Sequence, residues 1–144
     1  MLFVGADHGG FRLKQALCSC LRQHLIDFED VGTDTDLSCD YPIYARKVAV
    51  RVQQNTSNRG VLICTSGVGM SIAANKFKGI YAARLTELSE VQQSIRHNGI
   101  NVLCLPGNLP IDKAYDLVRT LLDTTMDEAE RHVRRRQQVK SFEK

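Results

Sequence analysis

The strongest constraint on the fold is an alternation of short apolar runs with amphipathic stretches along the whole chain. The amphipathic stretches repeat their apolar residues at helical spacing, whereas the apolar runs have the length of strands. Such an order is typical of a mostly parallel sheet that helices cover on both faces. The sequence therefore predicts a three-layer α/β/α, Rossmann-like sandwich with a five-stranded parallel sheet. The predicted strands are Leu2 to Ala6, Ile26 to Val31, Gly60 to Cys64, Ile80 to Leu85 and Asn101 to Leu105.

The last amphipathic stretch differs from the others, because its apolar positions are sparse. We predict a helix that opens at Asp127, with apolar residues only at Met126, Ala129, Val133, Val139 and Phe142. This stripe is too thin to bury the helix inside one small domain. We therefore expect a protruding C-terminal helix, with residues 126–144 packed on a partner subunit.

Length and composition restrict the class of protein. A chain of 144 residues supports a single domain, residues 1–144, and a content of 43% hydrophobic and 24% charged residues excludes disordered and fibrous proteins. The start MLFVGADHGG lacks the basic segment of a signal peptide, and no run reaches the roughly 18 apolar residues of a membrane span. We expect a cytoplasmic protein without a membrane anchor.

The basic character of the chain lies in its tail. Residues 131–144 carry six basic side chains and one acidic one, a local charge of +5, whereas the whole chain carries +3. Such a block favours an anionic partner: a phosphorylated metabolite, a nucleic acid or an acidic surface of another subunit. A nucleic acid is the least favoured of these, because Phe142 is the only aromatic residue of the tail.

Two common site types are not indicated. The five cysteines are odd in number and show no paired spacing, which argues against disulfides and a structural zinc site. The glycine-containing segments Gly5 to Gly10 and Gly67 to Gly69 both fail the dinucleotide fingerprint, and no phosphate-binding P-loop is present. We expect neither a metal nor an organic cofactor.

The segment Cys64 to Gly69 is the most informative for chemistry. A cysteine ends a predicted central strand, and small residues then lead into a helix. This arrangement can expose a thiol beside backbone N–H groups, which favour a thiolate and can hold an oxyanion. The spacing alone fits a buried strand-end cysteine beside a tight turn equally well.

Other polar residues are predicted beside the same sheet edge, where ligands bind in parallel α/β sheets. Asp7 and His8 follow the first strand, and His97 and Asn98 lie just before the fifth. We expect all of them near Cys64 at the carboxyl ends of the strands. Two histidines and a thiol at one edge would also suit a Cys-His acyl-transfer enzyme, and each histidine taken singly suits a structural hydrogen bond.

Several motifs taken together resemble the B-type ribose-5-phosphate isomerases of the ribose/galactose isomerase family. The motifs occur in the family's order over nearly the whole chain. They are GADHGGFRLK at 5–14, DVGT at 30–33, DYPIYA at 40–45, CTSGVGMSIAANKFKGI at 64–80, RHN and NVL within 96–103, and Arg131-His132 with Arg135.

The resemblance implies a cofactor-free aldose-ketose isomerase of the pentose phosphate pathway, acting by ring opening and then proton transfer through an enediolate. It implies Cys64 as the base, because one branch of the family uses a glutamate where this chain has Met70. It further implies His97 as the ring-opening acid and base, Ser66 as the loop hydroxyl and Asp7 at the substrate hydroxyls. The implied substrate-binding residues are His8, Tyr41, Thr65, Gly67, Val68, Gly69, Asn98, Arg131 and Arg135, with His8 and the two arginines at the phosphate. A homodimer or tetramer with the site between subunits is implied as well.

Four positions depart from the family pattern. Asn108 replaces a usual arginine after the fifth strand, Gly99 a usual aspartate, Thr65 a usual glycine and Tyr81 a common arginine. We expect an ordinary backbone conformation at Thr65, because a β-branched residue is strained at positive φ. A six-carbon phosphosugar isomerase, acting on an allose or galactose phosphate, and a non-catalytic phosphosugar or nucleic-acid binder remain alternatives.

Overall fold

The computed structural model describes all residues, 1–144, and shows five strands and six helices in alternation. The strands are β1 (Leu2–Ala6), β2 (Phe28–Asp30), β3 (Arg59–Cys64), β4 (Ala82–Arg84) and β5 (Val102–Pro106). The helices are α1 (Phe11–Gln23), α2 (Tyr41–Gln53), α3 (Val68–Ala74), α4 (Leu88–Asn98), α5 (Ile111–Asp123) and α6 (Glu130–Lys140). All neighbouring strands pair in parallel, in the order β2-β1-β3-β5-β4.

Helices cover both faces of the sheet. One apolar core lies between the sheet and helices α1, α4 and α5, and a second lies between the sheet and helices α2 and α3. The central strand β3 alternates its side chains between them: Val61 and Ile63 enter the first core, Leu62 and Cys64 the second. The predicted three-layer sandwich with a five-stranded parallel sheet is confirmed.

The structure shortens two predicted strands and moves the start of one predicted helix. The strands β2 and β4 keep only three residues each because both lie at sheet edges, with one hydrogen-bonding neighbour instead of two. Helix α3 begins at Val68, directly after Gly67, whose φ of +79° turns the chain out of β3. Helix α6 begins at Glu130 rather than at Asp127, because the Asp127 carboxylate accepts the Ala129 amide at 2.7 Å in a turn before the helix.

Helix α6 contacts the rest of the chain mainly through α4. His132 is its one buried residue, whereas Val139 and Phe142 are 52% and 78% exposed. All five cysteines are free. No helix has the length and apolar character that crossing a membrane requires.

Candidate active site

The loop after β3 brings a thiol and backbone amides together. The buried Cys64 ends the strand, and its Sγ accepts a hydrogen bond from the Gly67 amide at 3.1 Å. The hydroxyl of Ser66 accepts the Val68 amide at 3.2 Å, where helix α3 begins. Thr65 and Ser66 are exposed. The predicted juxtaposition of a thiol with amide donors at a helix start is therefore present.

Three neighbouring segments fix this loop. The Gly107 amide donates to the carbonyl oxygens of Cys64 and Thr65, at 2.8 and 3.3 Å. A side chain at Gly9 would collide with Thr65, and one at Gly69 would collide with the Tyr41 ring. Thr65 has a negative φ, which confirms the expected ordinary conformation. Tyr41 and the turn after β1 thus lie against the Cys64 loop.

Asp7 and His8 follow β1 at the same carboxyl edge of the sheet. Asp7 is buried, and its Oδ1 accepts the amides of Gly9 and Gly10 at 2.9 and 3.1 Å, so this carboxylate shapes the turn. His8 is exposed, and its Nδ1 accepts the Cys39 amide at 3.2 Å. Because Nδ1 acts as the acceptor, the proton of a neutral His8 lies on Nε2, where it can be donated to a ligand.

His97 and Asn98 lie at the amino ends of the strands, which form the edge of the sheet opposite to the one with Cys64. They end helix α4, which runs back from the carboxyl end of β4 to the amino end of β5. Strands of five to six residues, at about 3.3 Å per residue, put this edge roughly 15 Å or more from Cys64. The prediction that His97 and Cys64 share one edge within a chain is therefore wrong, because a helix between parallel strands ends at their amino edge.

His97 contacts a second histidine from α6. The rings of His97 and His132 stack with centroids 4.1 Å apart and planes 7° from parallel. His132 is buried, and its Nε2 has no hydrogen-bond partner. Burial, followed by the neighbouring His97 and Arg131, lowers the pKa of His132, and Asp127 opposes this effect. The neutral form of His132 is thereby favoured.

The same histidines and Asp127 are the one group whose atoms suggest a metal site. One ligand atom from each lies within 4.8 Å of the others. A single ion needs lone pairs that converge on it, whereas the nearly parallel rings of His97 and His132 direct their nitrogen lone pairs along separate planes. The geometry suits a stacked pair better than a metal centre.

Of the two arginines predicted at the phosphate, Arg135 lines the same cavity as His97. Arg131 and Arg135 are exposed on α6, and Arg135 joins His97 and Asn98 in lining a cavity of about 840 Å³. The cavity wall contains five cationic residues and no carboxylate: Arg59, Lys78, Arg135, Arg136 and Lys140. This edge of the sheet is therefore suited to an anionic group.

The structure adds three residues to those singled out from the sequence. Arg136 resembles the solvated arginines beside it in sequence, yet it donates to the carbonyl oxygens of Arg96, His97 and Asp127. In the sequence, His132 stands out only as part of the Arg131-His132 motif, and nothing in the sequence predicts that it stacks on His97. Arg84 ends β4 and donates to the Ser66 carbonyl at 2.9 Å. Its one signal was a charge at the end of an apolar run.

Comparisons with known proteins agree with this architecture. The family model described as Ribose/Galactose Isomerase matches residues 2–139. Ribose-5-phosphate isomerase B of Escherichia coli K12 is 36% identical over 142 residues, which cover 96% of this chain and 93% of the relative. A crystal structure of a ribose 5-phosphate isomerase from Thermotoga maritima superposes with a TM-score of 0.92 at 36% identity, covering 97% of both chains.

A further solved structure contains a ligand. Ribose-5-phosphate isomerase B from Mycoplasma genitalium, with bound ribulose-5-phosphate, superposes with a TM-score of 0.89 at 32% identity, covering 98% of this chain and 94% of the other. The matched ranges and the superpositions each cover nearly the whole chain. The chain belongs to the Ribose/Galactose Isomerase family.

Proposed function

We infer that this protein interconverts ribose 5-phosphate and ribulose 5-phosphate. Relatives and solved structures of matching length carry that activity in their names, and one of them holds the ketose phosphate. The observation in this chain that carries the assignment is the Cys64 thiol, which lies on a loop of backbone donors. An aldose-ketose isomerisation needs a base for one proton and donors for one developing oxyanion, and this loop offers both.

We propose that Cys64, as thiolate, removes the C2 proton of the open-chain aldose and delivers it to C1. The electron pair of the C–H bond forms the double bond of the enediolate, and the carbonyl oxygen at C1 becomes the oxyanion. When C1 takes up the proton, the C2 hydroxyl loses its proton and the C1 oxygen gains one, so that the carbonyl group is left at C2. The Ser66 hydroxyl and the amides of residues 65–69 would stabilise that oxyanion. Met70 cannot accept a proton and is fully buried, so Cys64 is the base that this loop provides.

The separation of His97 from Cys64 supports a site built from two copies of the chain. One copy would supply Cys64, Ser66, Asp7 and His8, and its partner would supply His97 and Asn98. Helix α3, which follows the Cys64 loop, exposes Val68 by 48% and Ile72 by 57%. An apolar face beside a catalytic loop is typical of a surface that a partner covers.

In this two-copy site the phosphate group would meet side chains from both copies. Arg131 and Arg135 would come from the copy that supplies His97, and His8 Nε2–H from the other. Planar guanidinium groups pair well with phosphate oxygens, and α6 presents both arginines exposed. His97 would then lie toward the ring oxygen and the C1 hydroxyl and open the sugar ring.

The first test is turnover of ribose 5-phosphate by the purified protein in the presence of a metal chelator. We expect chelator-resistant activity that Cys64→Ala lowers by about a hundredfold or more, as for loss of a general base. Cys20→Ala, which changes a partly exposed cysteine of α1, serves as the matched control and should retain activity. Full activity in Cys64→Ala would exclude this base, and faster turnover of allose 6-phosphate would overturn the substrate assignment.

The second arm of the same experiment tests the two-copy site. Cys64→Ala and His97→Asn, each inactive alone, are mixed under conditions that exchange subunits. With equal amounts, half of the dimers are mixed and half of their sites carry neither substitution, so activity should return to about one quarter of wild type. A mixture no more active than its components, although subunit exchange is demonstrated, would show that each chain holds a complete site.

A further inference from the structure

Arg84 lies beside the Cys64 loop without a carboxylate partner. It is the last residue of the edge strand β4 and pairs in register with Cys104 of β5. Ala83 packs into the core on the α1 side and Ala82 into the other, so alternation directs Arg84 to the face that contains Cys64. The residue is exposed and forms no ion pair with any acidic side chain. Its charge is therefore available to the loop.

The side chain of Arg84 lies across Gly67. A Cβ placed on Gly67 would come within 3.0 Å of Arg84 Cγ and within 2.9 Å of the Leu105 backbone. Gly67 thus packs closely against β4 and β5, at a φ of +79° that L side chains rarely adopt. The same glycine donates its amide to Cys64 Sγ.

Three successive carbonyl oxygens of the loop have donors from outside the loop. The Gly107 amide donates to the carbonyl oxygens of Cys64 and Thr65, and Arg84 Nε donates to the carbonyl oxygen of Ser66 at 2.9 Å. No backbone amide donates to the Ser66 carbonyl. Apart from Cys64 itself, Arg84 is the only side chain that hydrogen-bonds to the peptide carrying the Gly67 amide, because the Ser66 carbonyl and the Gly67 N–H belong to one planar peptide group.

We propose that Arg84 is a positioning residue for proton transfer, acting through the Ser66–Gly67 peptide. Its Nε–H sets the orientation of that peptide, and the Gly67 N–H is thereby directed at Cys64 Sγ. This proposal rests on the proposed function, because the thiol that it positions is the proposed base. A donor that fixes the loop before substrate arrives should act on kcat rather than on KM.

Three variants of Arg84 separate the hydrogen bond from the charge. Gln places its Nε2 at the chain position of Arg Nε, so Arg84→Gln keeps the donor and loses the charge. Arg84→Met keeps the packing on Gly67 but loses both the hydrogen-bond donor and the charge. Arg84→Lys keeps the charge but places its nitrogen at a different position along the side chain. We expect kcat of Arg84→Met to fall about tenfold with KM nearly unchanged, and Arg84→Gln to stay within about threefold of wild type. Arg119→Met, an exposed arginine of α5, is the matched control.

A second readout does not depend on activity. Hydrogen exchange of the peptide that contains the Gly67 and Val68 amides should be about tenfold faster in Arg84→Met than in wild type, and close to wild type in Arg84→Gln. This result would support positioning even if ribose 5-phosphate were not the substrate. Unchanged exchange and unchanged kcat in Arg84→Met would overturn the proposal. So would equal losses in Met and Gln variants with full activity in Lys, since charge alone would then matter.

Discussion

Arg136→Met is the substitution that best tests how α6 holds the His97 edge of the sheet. Arg136 Nη1 donates to the carbonyl oxygens of Arg96 and His97 at 3.1 and 3.3 Å, and Nη2 donates to that of Asp127 at 2.9 Å. Two of these carbonyls lie in the last turn of α4, where a cation also meets the negative end of the helix dipole. Met retains most of the side-chain volume and removes every donor.

The magnitude follows from the bonds that are lost. Nη1 is shared between two acceptors, so the three contacts amount to about two full hydrogen bonds from a charged donor. A hydrogen bond that involves a charged group contributes about 1.5 to 3 kcal/mol net. Arg136 is half-buried, so water replaces part of the loss. We expect the free energy of unfolding to fall by about 2 to 3 kcal/mol, a reduction of roughly 1 M in the urea midpoint.

The assay is urea unfolding followed by circular dichroism, at one fixed protein concentration because subunit association would contribute to stability. Arg134→Met is the control, since Arg134 is exposed and only approaches Glu130 at 4.0 Å. The free energy of unfolding of Arg134→Met should lie within about 0.5 kcal/mol of that of the wild type. Equal midpoints for Arg136→Met and Arg134→Met would refute the inference that Arg136 anchors α6 to α4.

Two further predictions concern buried charge. The pKa of His132 lies below its usual value because of burial and His97, so the unfolded chain binds the proton more readily and stability should fall as pH drops from 7 to 5.5. Urea midpoints of His132→Gln should show a shallower fall, and equal slopes would contradict the assignment. Lys14 is 1% exposed and pairs with Asp30 at 2.6 Å. Asp30→Asn should cost about 3 kcal/mol because it leaves the Lys14 ammonium buried without a counter-ion. Lys14→Met should lower the stability by less than Asp30→Asn does. If thermal unfolding shows a larger loss for Lys14→Met, the unpaired charge of Lys14 is not the cause.

The fold was predictable because its signal is long and periodic. Apolar runs such as Leu2 to Ala6 are buried at every position, as expected for strands covered on both faces. The sequence prediction made β2 and β4 too long. Ile26 packs on a core outside the strand pairing, and Leu85 packs on the same core with only its amide bonded to the Cys104 carbonyl of β5. In a sequence, a residue that only packs on a core and a residue that also pairs in the sheet both belong to an apolar run. Only the position of the neighbouring strand in the structure distinguishes the two.

The candidate site was predictable in part. Cys64, Ser66 and Gly67 are adjacent in sequence, so the turn that joins β3 to α3 places them correctly. His97 was misplaced, although the element order contains the answer: a residue that directly precedes β5 lies at the amino edge. Contacts that depend on side-chain direction, such as Arg136 with the Arg96 carbonyl or Arg84 with the Ser66 carbonyl, have no periodic signal.

The division between the two edges bears on why a site of this kind would need two copies. The carboxyl edge is built from closely packed backbone, where a Cβ at Gly9, Gly67 or Gly107 would collide with a neighbouring segment. The amino edge is lined by arginines, lysines and His97, with no carboxylate in its cavity. A phosphosugar needs closely packed hydrogen-bond donors at its reacting carbons and several cationic side chains at its phosphate. One loop has little room for both. In the proposed two-copy site each edge keeps its own packing, and the substrate lies where the thiol of one copy meets the imidazole and guanidinium groups of the other.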